Sequence, residues 1–407
     1  MPLKSYISYS TESNFPLENL PYGVFSTKND PIHRIGVAIG EKVLDLKNSK
    51  NIFDQPLYEI FQQSSLHSLM ASSKDTWSLA RKLIQSYLSI ENVENLEKAV
   101  FWDQNEVIMH LPVTIGDFTD FFSSYYHALR CGMLLNPLKP LGENWKNMPV
   151  CYHSRSSTIN VSGKPVVRPN GQYLVDKKVT FGPTKMLDYE LEVAFFVGGT
   201  LNSPAEPIPV SKASEYIFGM VLLNDWSARD IQMWESHFLG PFLSKNFATT
   251  ISPWIVTMEA LEDFKTDNFK QEHTPLEYLL HENKFNFDIH LSANICYPGS
   301  QQNYTICETN FKYLYWTPLQ QIAHHTVNGC TLKPGDLLSS GTVSGPKDEE
   351  CGCLYEKTNG GKNPIELGDR KLTFFEDGDT VILSGFCQGD GYRIGFGCCS
   401  NTIVNRV

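Results

Sequence analysis

The chain has 407 residues, 41% of them hydrophobic and 19% charged, with a net charge of −11 when histidine is counted as neutral. That length exceeds what a single hydrophobic core usually fills, and the composition excludes a mainly disordered chain. The acidic balance, with no Lys/Arg cluster to offset it, argues against nucleic acid and anionic membranes as partners; an anionic substrate stays open, because a metal or a few local cations can reverse the field inside one cleft.

The opening segment, MPLKSYISYSTESNFP, has no apolar stretch of the kind a signal peptide needs, and no run approaches the ~20 apolar residues of a membrane-spanning helix. The ten cysteines include no CxxC pair, so neither a zinc ribbon nor a thioredoxin-like site is expected, and the chain reads as a reduced, cytoplasmic protein. The first ~110 residues predict a small β unit with helical decoration. Ile35–Ile39 and Val43–Leu46 flank a turn at Gly40, a hairpin signature. A helix is predicted over Ser73–Leu88, capped by Ser73, with Trp77, Ala80, Ile84 and Leu88 on one face. No cluster of chemically active residues precedes about Met109, so this unit reads as structural. Beyond it, short apolar runs broken by turns such as Leu332–Asp336 and Glu376–Asp379 predict a β-rich sandwich or barrel. One helix is predicted over Phe311–Asn328, stopping at Gly329. No Gly-rich phosphate or dinucleotide loop follows a strand.

Three segments carry chemistry. Ile115–His127 supplies Asp117, Asp120 and His127. In Leu187–Val197, a strand would put Glu190 and Glu192 on one face, continued by Ala194 and Phe196, with Leu191, Val193 and Phe195 on the other. A solvated strand face is the plain reading of two glutamates. However, two carboxylates at the end of a face that becomes apolar repel each other unless a cation sits between them. In Phe218–Gln232 an apolar strand runs into Asn224 and Asp225. A short helix is then expected, capped by Asp225 or Ser227, with Arg229 and Gln232 on one face; the plain alternative pairs Arg229 with Asp225. His324 and His325 read as helix-terminal cations rather than catalytic groups. Together Asp120, Glu190, Glu192 and Asp225 would form an all-oxygen cage of the type Ca²⁺ and Mg²⁺ select, whereas zinc would want His or Cys. These residues do not fix the substrate.

Leu20–Thr27, Arg34–Gly40, Glu190–Glu192, Asn224–Gln232, Pro334–Thr342 and Gln388–Phe396 closely resemble the fumarylacetoacetase family, in order and over nearly the whole chain. The resemblance implies a mainly β protein: an N-terminal SH3-like β-barrel over 1–113 and a C-terminal mixed β-sandwich roll, the catalytic domain, over 114–407, assembled as a homodimer. It implies metal-dependent hydrolysis of the C–C bond of a small diketo acid, 4-fumarylacetoacetate, to fumarate and acetoacetate, the last step of tyrosine and phenylalanine degradation. On the matching positions Asp120, Glu190, Glu192 and Asp225 would bind Ca²⁺. Asp225, Lys245 through its carbonyl, and Thr249 would serve a Mg²⁺. His127 would be the general base, held by Glu356, and Arg229, Gln232 and the Lys245 ammonium would stabilise the developing oxyanion. Tyr152, Gln232 and Thr342 would contact substrate. Three positions depart from the family: Phe122 stands where it has Tyr, Asn136 where it has Arg, and Ser236 where it has Tyr, all facing substrate there. Arg130 is expected either to replace the missing cation or to be a plain surface residue. Hydrolysis of another acylpyruvate or diketo acid, and a lapsed homologue that only binds metal, are the alternative readings.

Overall fold

Tyr22–Thr27, Asp30–Ile39 and Lys42–Asp45 form an antiparallel meander in the computed structural model, which describes residues 2–202, 206–300 and 302–405. The predicted hairpin is there, and Gly40 takes the left-handed φ of 54° that its turn requires. Phe101–Asp103 and Val107–His110 extend this sheet to five strands, one at each edge. The predicted helix runs Lys74–Leu88. Ser73 accepts from the Thr76 amide, and Ala80, Ile84 and Leu88 are buried.

The architecture is mainly β. A mixed eight-stranded sheet forms its middle, in the order Cys151–Ser154, Phe118–Phe121, Leu337–Ser339, Leu191–Val197, Ile217–Asp225, Thr249–Ile251 and Ile159–Val161, with Val256–Thr257 also on Ile217–Asp225. A second, five-stranded sheet contains Tyr304–Asn310, His290–Cys296, Thr380–Gln388, Arg393–Val404 and Val166–Val167. The middle sheet is covered on both faces, and the strand Leu191–Val197 shows it. Leu191, Val193 and Phe195 enter a core shared with Leu291, Ala293, Ile295 and Leu383 of the second sheet. Ala194 and Phe196 enter the other core, with Val24, Ile35, Val37 and Ile84 of the N-terminal unit. The alternation read from the sequence is therefore real, and both faces are dry. Burial on both sides explains why this strand is almost continuously apolar up to its acidic end.

Two helix expectations are corrected. Phe311–Tyr313 is one 3₁₀ turn, and the α-helix covers only Pro318–Thr326. Pro318 restricts Thr317 to extended backbone and lacks an N–H, so a helix can begin there but not pass through. Thr317 and Gln320 close a capping box at that start, and Gly329 lies beyond the end at φ 92°. The second correction concerns Asp225 and Ser227, which cap no helix. The strand continues through Asp225, which pairs with Thr249, and Ser227–Ala228 pairs with Leu187–Asp188. The helix Arg229–Glu235 begins after Ala228 without a side-chain cap. The Asp225 carboxylate is engaged elsewhere.

Candidate functional site

Strand register brings Asp120, Glu192 and Asp225 together, and Glu190 joins them from the residue before its strand. Asp120 pairs with Ser339, Ser339 with Ala194, Glu192 with Leu223, and Asp225 with Thr249, so these side chains share one face at one end of the middle sheet. Asp120, Glu190, Glu192 and Asp225 are all buried, and one carboxylate oxygen from each lies within 4.8 Å of the others. Glu190 is compensated: Arg229 Nη1 stands 2.7 Å from one oxygen and Lys245 Nζ 2.5 Å from the other. Burial alone would raise its pKa, but those two cations outweigh burial and hold it well below the usual carboxylate range. Asp225 takes Lys245 Nζ at 2.8 Å and the Thr249 hydroxyl at 3.1 Å. Asp120 and Glu192 fare differently. Burial, and then the neighbouring carboxylates, push both pKa values far up.

The hydrogen bonds leave a deficit of positive charge. The Tyr152 hydroxyl lies 2.8 Å from both Asp120 Oδ2 and Asp225 Oδ2, yet has a single proton to give. Ser339 donates to Glu192 Oε2. Asp120 Oδ1 and Glu192 Oε1 are buried and have no protein partner. Four carboxylates therefore meet two cations, one of which, Arg229, is shared with Asp188 at 2.9 Å. Two orphaned oxygens in an all-oxygen set are what a hard divalent cation fits.

Across the same cavity stands a His–Glu pair. His127, on the helix Tyr125–Leu135, is buried, and its Nδ1 lies 2.6 Å from Glu356 Oε1. Glu356 also accepts from Ser344 Oγ at 2.8 Å. Burial would lower the His127 pKa, but Glu356 dominates and pushes it up to about 10. Burial would likewise raise Glu356, and His127 keeps it low. The Phe122 ring meets the imidazole edge to face, with centroids 5.2 Å apart. Arg130 is neither a cavity cation nor a plain surface residue. Its guanidinium donates to the carbonyls of Gly345, Pro346 and Lys347 and reaches Glu356 Oε2 at 3.5 Å, so it ties down the loop behind the pair.

A cavity of about 570 Å³ joins the two groups. Asp120, His127, Tyr152, Glu190, Arg229, Gln232, Lys245 and Thr342 line it, while Glu192, Asp225, Thr249 and Glu356 lie behind the lining. Arg229 Nη2, Thr342 Oγ1 and Ser236 Oγ are buried along this wall without protein partners. Gln232 Oε1 accepts from Arg229 at 3.2 Å, which leaves its amide N–H groups to donate. Of the three departures, Phe122 and Ser236 line the cavity; Asn136 is exposed at the end of the Tyr125–Leu135 helix and does not. His325 bonds Thr119 at 2.9 Å outside the cavity.

Sequence reasoning missed Asp188 and Ser339. Asp188 accepts from the Leu354 and Tyr355 amides at 2.7 and 2.9 Å and from Arg229 Nε, so it holds the Glu356 turn against the arginine. The alternation of Asp188, Glu190 and Glu192 was the available signal. Arg229 is thus paired with Asp188 and Glu190, not with Asp225 as the plain alternative had it.

Comparison with known proteins places this geometry among relatives. Residues 18–112 match the family description "Fumarylacetoacetase N-terminal" and residues 127–404 match "Fumarylacetoacetate (FAA) hydrolase C-terminal". The chain is 50% identical to the fumarylacetoacetase of Homo sapiens over 98% of each chain, and 47% identical to that of Caenorhabditis elegans over 99% of each. Among solved structures, the fumarylacetoacetate hydrolase of psychrophilic Exiguobacterium antarcticum matches with a TM-score of 0.54 at 19% identity. That match covers 95% of this chain and 100% of the other, and it is a likeness of fold.

Proposed function

The chain belongs to the fumarylacetoacetase family, and from that premise we propose that it hydrolyses the C–C bond of 4-fumarylacetoacetate to fumarate and acetoacetate, the last step of tyrosine and phenylalanine degradation. The observation that carries this reading is the convergence of an oxygen-only cation site and a buried His–Glu pair on one cavity. Asp120, Glu190, Glu192 and Asp225 would hold Ca²⁺; Asp225, the Lys245 carbonyl and Thr249 would hold Mg²⁺. When bound, such a cation supplies Lewis acidity toward the oxygens of a diketone.

The chain's own residues do the rest. Glu356 fixes the His127 tautomer through Nδ1, so Nε2 is the atom that takes a proton from water. The protein's own groups hold His127 protonated; a cation held by Asp120, Glu190, Glu192 and Asp225 would work against that and favour the accepting form of the imidazole. Water loses its proton to Nε2 as its oxygen bonds to the ketone carbon, and the C–O π pair moves to the carbonyl oxygen. Arg229 Nη2, the Gln232 amide and the remaining Lys245 proton donate to that oxyanion. When the carbonyl re-forms, the C–C bond electrons leave on acetoacetate as an enolate, which the His127 proton returns to neutrality. Tyr152 and Thr342 position the substrate.

The finer expectations belong to the same proposal. The N-terminal unit, 1–113, is read as the SH3-like barrel and 114–407 as the catalytic roll. A homodimer is supported by Leu135, Phe238, Leu239 and Phe242, which stand exposed beside the cavity. All ten cysteines are free thiols, in keeping with a cytoplasmic setting, and no helix among the described residues is long and apolar enough to cross a membrane. Phe122 and Ser236 favour one second reading, a related diketo acid as substrate, because each removes a phenol from the wall the family uses. The test is turnover of fumarylacetoacetate with and without chelator, beside a panel of acylpyruvates. Chelator-sensitive turnover of fumarylacetoacetate is expected. Turnover confined to another acylpyruvate would replace the substrate and keep the chemistry.

A further inference from the structure

The hydrolysis leaves two buried thiols beside His127 unused. Cys131 follows His127 by one helical turn, and its Sγ stands 3.7 Å from Nδ1 and 3.9 Å from Nε2. Cys353 opens the Glu356 turn, and its Sγ lies 3.3 Å from Glu356 Oε1. Donor atoms of His127, Cys353 and Glu356 all lie within 4.8 Å of one another. One nitrogen, one sulfur and a carboxylate oxygen thus meet at one point of the fold, and the Cys131 sulfur flanks them on the His127 side. This is the chemical opposite of the all-oxygen cluster on the same cavity.

Thiolate and imidazole select a borderline-soft ion, zinc above all, where carboxylate oxygens select calcium and magnesium. Tetrahedral zinc with bonds of about 2.0–2.3 Å sets its donors roughly 3.3–3.8 Å apart. The Cys131–His127 Nδ1 and Cys353–Glu356 separations, 3.7 and 3.3 Å, already have that span, and the 2.6 Å His127–Glu356 hydrogen bond opens to admit the ion. His127 and Cys131 line the cavity, which provides an entry path, and Cys353 and Glu356 close the site from behind.

We propose that His127, Cys131, Cys353 and Glu356 form an inhibitory zinc site that captures the hydrolytic base. Each thiol, and the His127 imidazolium, yields a proton to solvent as its donor atom takes the ion, so uptake strengthens as pH rises. Binding rests on the donor set alone; inhibition also rests on His127 being the base.

Two measurements on the full chain separate these. Cobalt(II) chloride, added to magnesium-saturated protein, reports thiolate ligation as a near-ultraviolet charge-transfer band. Zinc chloride, titrated during turnover, reports inhibition. The expected result is a cobalt–thiolate band, together with zinc inhibition that chelation and fresh magnesium reverse. In Cys131→Val and in Cys353→Ser, each active with magnesium, the inhibition midpoint rises about tenfold or more and the band is lost. Absence of the band in the unaltered protein overturns the site and needs no variant. Equal zinc inhibition in the unaltered protein and both variants also overturns it, because the ion then acts at the acids. A band without inhibition overturns the inhibitory role and places the fault in the assignment of His127.

Discussion

The two ends of one sheet face make opposite use of burial. Along Leu191–Val197, Ala194 and Phe196 point into the N-terminal core, and Glu192, two residues earlier on the same face, points into the acid cluster. The apolar end gains stability from every methylene removed from water. The acid end loses it, because buried carboxylates without counter-charge are costly. The N-terminal unit brings no group to the cavity lining, yet its side chains fill the core against which the acid-bearing strands are packed. Rigidity is thus supplied at one end of the sheet and used at the other. Strand pairing positions Asp120, Glu192 and Asp225, and Glu190 sits one residue before its strand.

The comparison breaks most visibly at the chemical end. His127→Ala should reduce kcat by about 10²–10⁴-fold, the usual contribution of a general base, with metal binding nearly unchanged. Isothermal titration with Ca²⁺ beside steady-state kinetics checks it. Retained turnover would remove His127 from the reaction. At the apolar end Phe196→Ala should do the reverse, lowering stability by about 3–5 kcal/mol in denaturant unfolding while kcat at saturation holds. A comparable fall in kcat would show that the two ends are not separable.

The next test sharpens the contrast within the acid end. Burial and the neighbouring acids push the Glu192 pKa far up, so in chelator Glu192→Gln replaces one largely neutral group by another and should leave stability nearly unchanged. In the parent, cation at about 100 times Kd should add roughly 2.7 kcal/mol, and the variant should lose most of that gain. Thermal melts of both proteins with and without Ca²⁺ measure it. A variant that melts well above the parent in chelator would mean that Glu192 is charged there even without a cation.

Titration of the His–Glu pair separates the ends by pH. His127 has its pKa raised from an ordinary 6.5 to about 10, against burial, by Glu356. Folding therefore tightens its hold on a proton. The stability this contributes is fully present below about 6.5 and is lost as pH rises through about 10. In chelator, the stability difference between the parent and His127→Gln should shrink across that window, while the difference between the parent and Phe196→Ala stays flat. A flat His127 difference would show the imidazole to be neutral in the folded protein.

Much of this was legible in the sequence, for particular reasons. A period of two forced Glu190 and Glu192 onto one side and Leu191, Val193 and Phe195 onto the other, and a dry interior on both sides made that pattern strict. Ser73 and the stripe of Ala80, Ile84 and Leu88 announced a local helix. The helix at Phe311–Asn328 was overread because apolar spacing continues through Thr317, where Pro318 forbids a helix to pass. The cap assigned to Asp225 failed because Lys245, twenty residues later, claims the carboxylate. Asp188 escaped notice because its partners, the amides of Leu354 and Tyr355, are more than 160 residues away. Local pattern reveals which face a side chain takes; it does not reveal what the fold brings to that face.

The smallest expected effect tests whether a cavity-wall group belongs to the fold or to the substrate. Ser236 Oγ is buried without a protein partner, on the same wall as Arg229 Nη2 and Thr342 Oγ1. A hydroxyl that bonds nothing in the protein contributes nothing to folding when removed, so Ser236→Ala should shift stability by no more than about 0.5 kcal/mol. If that hydroxyl bonds bound substrate in ground and transition states alike, its loss removes about 0.5–1.5 kcal/mol of binding, raising KM roughly 2- to 10-fold with kcat unchanged. Steady-state kinetics and a denaturant midpoint on the one variant read both quantities. A rise in KM at constant stability assigns Ser236 to the substrate. A fall in stability at constant KM would assign it to the fold.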